Sequence, residues 1–248
     1  MLYSGKDLRK LIIPLIIEQI LAIAVGMADT IMVSAAGEAA VSGVSLVDTV
    51  NILLINVFSA LATGGAVVSG HFLGKKKRED ACKSAWQILL FATLLACVIS
   101  VIFITAHDPL LRLMFGKIED DVMKASKTYL IITTYSFVAL AIYNSCAALF
   151  RAMNESKVTM WVSLLMNVIN VVGNAICIYG LHMGVAGVAI PTTISRYVAA
   201  VVIFLLMFQT KKEINLCGQI TWKFNGSLIK KILYLSLIHI SEPTRPIS

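Results

Sequence analysis

Residues 11–34 read LIIPLIIEQILAIAVGMADTIMVS, a stretch with no basic side chain and two acids, Glu18 and Asp29. A helix rises about 1.5 Å per residue, so a run of this length crosses the roughly 30 Å hydrocarbon core of a bilayer. Lys6, Arg9 and Lys10 precede it, and Ser34, Ala35 and Ala36 follow, which superficially resembles a secretory leader. The run is longer than the 7–15-residue apolar core of such a leader and carries two acids, so an uncleaved first span is expected. The rest of the chain agrees. It is 58% hydrophobic and 14% charged, whereas a soluble domain carries about 25% charged residues, and its mean hydropathy is +0.84.

Further apolar runs cover roughly residues 45–73, 84–106, 127–150, 158–180 and 184–209. Each has the length a tilted helix needs to cross. The punctuation between them lies at residues 37–43, 74–78, 107–124, 151–157 and 180–184. One membrane domain fits this length, with no room for a soluble enzyme domain. The expected division is a six-helix lobe over 1–210, a cytoplasmic linker over 211–231, the first turns of a seventh helix over 232–237, and a tail over 238–248.

Basic residues fix the orientation. With the N-terminus in the cytoplasm, the inside loops hold Lys6, Arg9, Lys10, Lys75, Lys76, Lys77, Arg78, Lys83, Arg151, Lys157, Lys211, Lys212, Lys223, Lys230 and Lys231, which is 15 of the 21 Lys and Arg. The outside loops hold Arg112, Lys117, Lys124 and Lys127, offset by Asp108, Glu119, Asp120 and Asp121. The formal net charge of +7 therefore reads as loops facing anionic lipid. The basic residues form no aromatic-interleaved patch, so nucleic acid is not an expected partner. The five cysteines, Cys82, Cys97, Cys146, Cys177 and Cys217, have no paired or metal-ligand spacing and read as reduced, mostly buried small residues.

A charge at mid-bilayer costs a few kcal/mol even on the mildest scale, so an acid there faces a cavity or a partner. Glu18 and Asp29 lie 11 residues apart, close to three helical turns, and share one face of the first span. Asp29 also admits a plain reading as an interfacial residue near the outer end. Glu18, one turn after Pro14, is expected to be buried. Asp48 reads as an outer-interface residue rather than a ligand.

Asn167, Asn170 and Asn174 stack in one stripe of the fifth span. Two uses of that stripe stay open, interhelical hydrogen bonding and the wall of a hydrated cavity. The sixth span opens with Gly184, Gly187 and Pro191, followed by Thr192, Thr193, Ser195 and Arg196. Arg196 is expected to pair with an acid or to snorkel. Gly64, Gly65, Ser69 and Gly70 read as a close-packing face, and Trp86 and Trp161 as interfacial aromatics.

Several segments carry a family likeness: Pro14 with Met27-Ala-Asp-Thr-Ile-Met-Val33, Thr63-Gly-Gly, Gly70-His-Phe-Leu-Gly-Lys75 and Ala148-Leu-Phe-Arg-Ala-Met-Asn154. The most specific is Asn167-Val-Ile-Asn-Val-Val-Gly-Asn174, running into Ile178-Tyr-Gly180 and Gly184-Val-Ala-Gly-Val-Ala189. Together, over about residues 7 to 236, they resemble the multidrug and toxic compound extrusion (MATE) family. The resemblance implies an all-α integral membrane protein, a six-transmembrane-helix bundle corresponding to the amino-terminal lobe of a twelve-helix antiporter. Such an antiporter exchanges protons or sodium for organic cations by alternating access. It implies a cation and substrate site at Asp29, Asn170, Asn174 and Thr192, with Asn167 and Glu18 as neighbouring candidates and sodium ligation at Asp29, Asn170 and Asn174. It also implies a multi-pass location in the inner (cytoplasmic) membrane, lipid and small organic cations as partners, a carboxyl-terminal lobe beyond this chain, and no cofactor besides the coupling ion.

One departure matters. Where proton-coupled members carry an aspartate, this chain has Asn174, whose amide cannot take up a proton. Proton coupling would then fall to Asp29 or Glu18.

Residues 238–248 resemble translated sequencing-adapter sequence, so a truncated or chimeric chain is expected, with a dimerising half-sized transporter as the rival. A flippase for lipid-linked sugars would line its cavity with basic groups, of which Arg196 alone is available. A membrane enzyme would need clustered catalytic side chains, and none has catalytic spacing. A purely structural module would have no use for Glu18 and Asp29 on one face.

Overall fold

The computed structural model describes residues 5–209, 212–216 and 225–241. Its helices are α1 (Gly5–Ser34), α2 (Glu38–Gly74), α3 (Arg78–Thr105), α4 (His107–Phe115), α5 (Asp120–Thr134), α6 (Phe137–Ala152), α7 (Ser156–Ala175), α8 (Ala186–Leu206) and α9 (Gly226–Ser241), with a π-helical turn, Ile176–Gly180, closing α7. Among the described residues α1, α2, α3, α7 with its π turn, and α8 are each long and apolar enough to cross a membrane. Helices α5 and α6 meet at 51° and together make a sixth, bent span.

The bend is built from hydroxyls. Thr133 and Thr134 donate to the carbonyls of Tyr129 and Leu130, and Ser136 Oγ donates to Thr133 O at 2.6 Å. Side chains that bond to the preceding turn loosen the helical ladder while keeping its polar groups satisfied, which an apolar solvent requires.

Each apolar run coincides with one of these spans, but several boundaries differ from the sequence reading. Helix α2 starts at Glu38, seven residues before the expected start at 45, because Gly37 at φ 101° breaks the chain there. That shift carries Asp48, read from the sequence as lying at the start of the span, well into the helix. The stretch 107–124 contains a short helix, α4. Helix α9 starts at Gly226 rather than 232, and its last residue, Ser241, lies within the stretch read as tail. Trp86 is also corrected: it packs in the core beside Cys82, Leu89 and Phe150, whereas Trp161 is exposed as expected. Cys82 and Cys146 are buried free thiols, Cys97 is exposed, and Cys217 lies outside the described residues.

Three apolar clusters hold the bundle together. One joins α3, α6 and α8 around Phe150 and Ile203, one joins α2, α3, α6 and α9 around Phe58, Ile88 and Ile232, and one gathers the ends of α1, α2, α5 and α8 around Val33, Val47 and Leu130. Helix α1 enters these clusters through Ala28, Met32 and Val33. Ile16, Ile20, Ile23, Met27 and Ile31 along it are exposed, a face that suits acyl chains and would be an aggregation liability in water.

Without a hydrophobic drive between helices in lipid, close approach depends on small residues. A Cβ at Gly65 would sit 2.4 Å from Ile88 Cγ1, and one at Gly173 would sit 2.7 Å from Pro191 Cβ. The second contact seats α8 against α7 beside the polar stripe. Helices α1, α7 and α8 are thereby brought together.

Candidate cation and substrate site

Asn167, Asn170 and Asn174 project from α7 toward α1 and α8, and all three are buried. Asn174 Nδ2 donates to Asp29 Oδ1 on α1 at 2.6 Å and to Asn170 Oδ1 at 3.2 Å. Asn170 Nδ2 donates to Thr192 Oγ1 on α8 at 2.9 Å, and the Thr192 hydroxyl donates to Val188 O at 2.8 Å. Asn174 thus donates both ways, to the carboxylate of Asp29 on α1 and into a chain that runs through Asn170 and Thr192 to the Val188 carbonyl on α8. Four of the sequence-derived site residues, Asp29, Asn170, Asn174 and Thr192, form this single network.

Asn174 Oδ1 is buried and has no hydrogen-bond partner among the described residues. A buried unpaired amide oxygen costs about 1–3 kcal/mol. Together with Asp29, Asn170 Oδ1 and Thr192 Oγ1 it gives the network an oxygen-only donor set, the kind that suits a hard cation. Asp29 is its one titratable member.

The network borders a cavity of about 630 Å³, lined by Asp29, Asn167, Asn170 and Thr192 and on other walls by Asp48, Asn51, Asn56 and Arg196. Asn167 joins the cavity wall without a bond to the Asp29 network, and its Nδ2 has no partner among the described residues. Of the two readings of the asparagine stripe, interhelical bonding and cavity lining, the structure shows both at once.

Glu18 is elsewhere. It accepts from Thr159 Oγ1 at 3.2 Å and from the Tyr143 hydroxyl at 3.4 Å, and Arg151 lies 3.6 Å away. It faces α6 and α7 and does not itself line the cavity, although the next residue, Gln19, does. The shared face on α1 is real in direction, toward α7, but it serves two separate clusters.

Sequence reasoning missed the wall opposite α7. Asp48 accepts from Asn51 Nδ2 at 3.2 Å, and the two lie i, i+3 on α2. The available signal was that spacing, Asp48-Thr-Val-Asn51, once the helix is known to begin ten residues earlier. Among the described residues Arg196 forms no ion pair with an acid; its guanidinium donates to Ser136 Oγ at 2.8 Å, at the break between α5 and α6. A wider cavity of about 950 Å³ opens between the start of α2 and the residues around Lys117 and Glu119, away from this network.

The chain is 31% identical over 199 residues to "Uncharacterized transporter YisQ" of Bacillus subtilis, covering 78% of this chain and 43% of that protein. It is 27% identical over 214 residues to "Probable multidrug resistance protein NorM" of Thermotoga maritima, covering 84% and 45%. It therefore spans about half the length of the curated relatives it matches. Its fold is similar to a solved outward-facing conformation of a multidrug resistance MATE family transporter of the MOP superfamily, with a TM-score of 0.84 and 24% identity over 96% of this chain and 53% of that one. The six spans correspond to the amino-terminal half of that architecture. A family model, MatE, matches residues 14–176, and on that match the chain belongs to the MatE family of membrane transporters.

Proposed function

We propose that this chain is the amino-terminal lobe of an antiporter that exports organic cations in exchange for protons or sodium across the inner membrane, with its N-terminus in the cytoplasm. The observation that carries the reading is the 2.6 Å bond between Asn174 and Asp29, at the edge of a polar cavity. An acid held by amides on a second helix, beside a space large enough for a small organic molecule, suits a group that alternates between two cationic partners. A facing lobe in the other half of the relatives' length would complete the cavity.

In this mechanism Asp29 binds the coupling cation from outside, through its carboxylate and, for sodium, the oxygens of Asn170, Asn174 and Thr192. Binding neutralises the field that held the organic cation, and the substrate leaves. Return of the lobe to the inward-open state releases the coupling cation to the cytoplasm and restores the charge. The two ligands shift the equilibrium only because each favours a different state. Asn174 carries an amide, so a proton-coupled version would rest on Asp29 alone in this network.

The flippase reading is weaker, because the cavity lining holds two carboxylates, Asp29 and Asp48, against the single guanidinium of Arg196. The test is substrate efflux by the full-length protein in proteoliposomes under imposed proton or sodium gradients. Asp29→Asn should reduce gradient-driven efflux to background with normal insertion. Efflux that survives this change contradicts the coupling assignment.

A further inference from the structure

The cavity holds a second pair of charges that the coupling network does not use. Asp48 on α2 and Arg196 on α8 both line it. Each is held by its own neighbours. Arg196 Nη1 donates to Ser136 Oγ at 2.8 Å. Asp48 accepts from Asn51 Nδ2 at 3.2 Å. The two side chains lie within electrostatic reach of one another, yet no ion pair joins them among the described residues.

Opposite charges in a medium of low dielectric attract strongly and collapse onto each other when their tethers allow it. Here Ser136 holds one and Asn51 the other, and both side chains line the same cavity. A guanidinium has five N–H donors, and the bond to Ser136 leaves most of them for a ligand. An amine would be drawn to Asp48, but a simple monocation there would also be repelled by Arg196. A molecule carrying both an amine and an acid satisfies the two side chains together and adds no net charge.

We propose that Asp48 and Arg196 form a two-charge subsite that selects amphoteric organic molecules, with the cationic group directed to Asp48 and a carboxylate to Arg196. This rests on the exporter reading for its direction of transport but not for binding. Asp29 keeps the role proposed above: its neutralisation by the coupling cation weakens the hold of the cavity on the cationic end of the substrate.

The test uses a matched pair of dyes, zwitterionic rhodamine B and its cationic ethyl ester, titrated by fluorescence polarisation into the purified full-length protein in nanodiscs. The wild-type protein should bind the zwitterion more tightly than the ester, by about tenfold for one charge-assisted contact. Arg196→Gln should erase that preference while leaving ester binding equal or stronger, and Arg196→Lys should restore much of it. Equal or tighter binding of the ester by the wild-type protein overturns the proposal without recourse to any variant, as does a preference unchanged in Arg196→Gln. Zwitterion binding without gradient-driven efflux would instead leave the subsite standing and remove the exporter reading.

Discussion

Asn174 donates its side-chain amide to Asp29 across 2.6 Å, tying the last turn of α7 to the carboxyl-terminal part of a first helix that otherwise presents a mostly exposed, apolar surface. The bond is an interhelical clasp and the edge of a polar cavity at once. Any change in the charge of Asp29 alters how α1 is held as well as what the cavity attracts.

Asn174→Ala removes the donor to Asp29 and to Asn170 together. Interhelical hydrogen bonds in membranes average about 0.6 kcal/mol each, so stability in detergent should fall by roughly 1 kcal/mol. Efflux should fall much further than that loss explains, because Asp29 loses its positioning. Thermal unfolding measured beside transport separates the two effects.

Asn174→Asp sets a second carboxylate against Asp29. Two such groups in contact do not both ionise, and one proton is retained. Transport by this variant should gain a proton-gradient dependence at the expense of any sodium dependence, read by comparing the two gradients at fixed membrane potential.

Gly173→Ala places a methyl 2.7 Å from Pro191 Cβ. Two backbones on rigid helices do not yield easily, and overpacking typically costs 1–3 kcal/mol. The variant should unfold at lower temperature and lose efflux, since pushing α8 from α7 opens the Asn170–Thr192 bond. Gly74→Ala, which meets nothing within 4 Å and lies away from the cavity, is the control that should do neither.

Outside the spans, Lys127 beside Asp108 holds that carboxyl below its ordinary value of 3.8. A lowered folded-state value means the contact stabilises fully above about pH 4 and is lost as pH falls further. Thermal unfolding between pH 5 and pH 3 should therefore steepen in the wild-type protein more than in Asp108→Asn. Salt should shrink the difference, because the pair is exposed.

The six spans were legible because lipid demands long apolar runs, and residues 11–34 or 158–180 admit no other use. The Asp29, Asn170, Asn174 and Thr192 set was legible from polar groups spaced on helical faces and from the family likeness. Asp48 was not, since a helix that begins in a small, mixed segment such as Glu38-Ala-Ala-Val-Ser-Gly43 gives no apolar edge to mark its start. The separation of Glu18 from Asp29 was hidden for a different reason. A spacing of three turns gives a shared direction, but only the partners supplied by α6 and α7, Tyr143 and Thr159 for one acid and Asn174 for the other, divide that face in two.

The central claim is that these polar side chains wet one internal cavity. Thiol labelling in a cysteine-free background of the full-length protein tests it directly, using a membrane-impermeant maleimide on single cysteines. Ala22→Cys and Asn56→Cys, on the cavity wall, should react readily, while Ile31→Cys and Val168→Cys, on exposed apolar faces, should react only with a lipid-soluble reagent. Labelling of all four alike by the impermeant reagent, or of the apolar pair alone, would contradict the account.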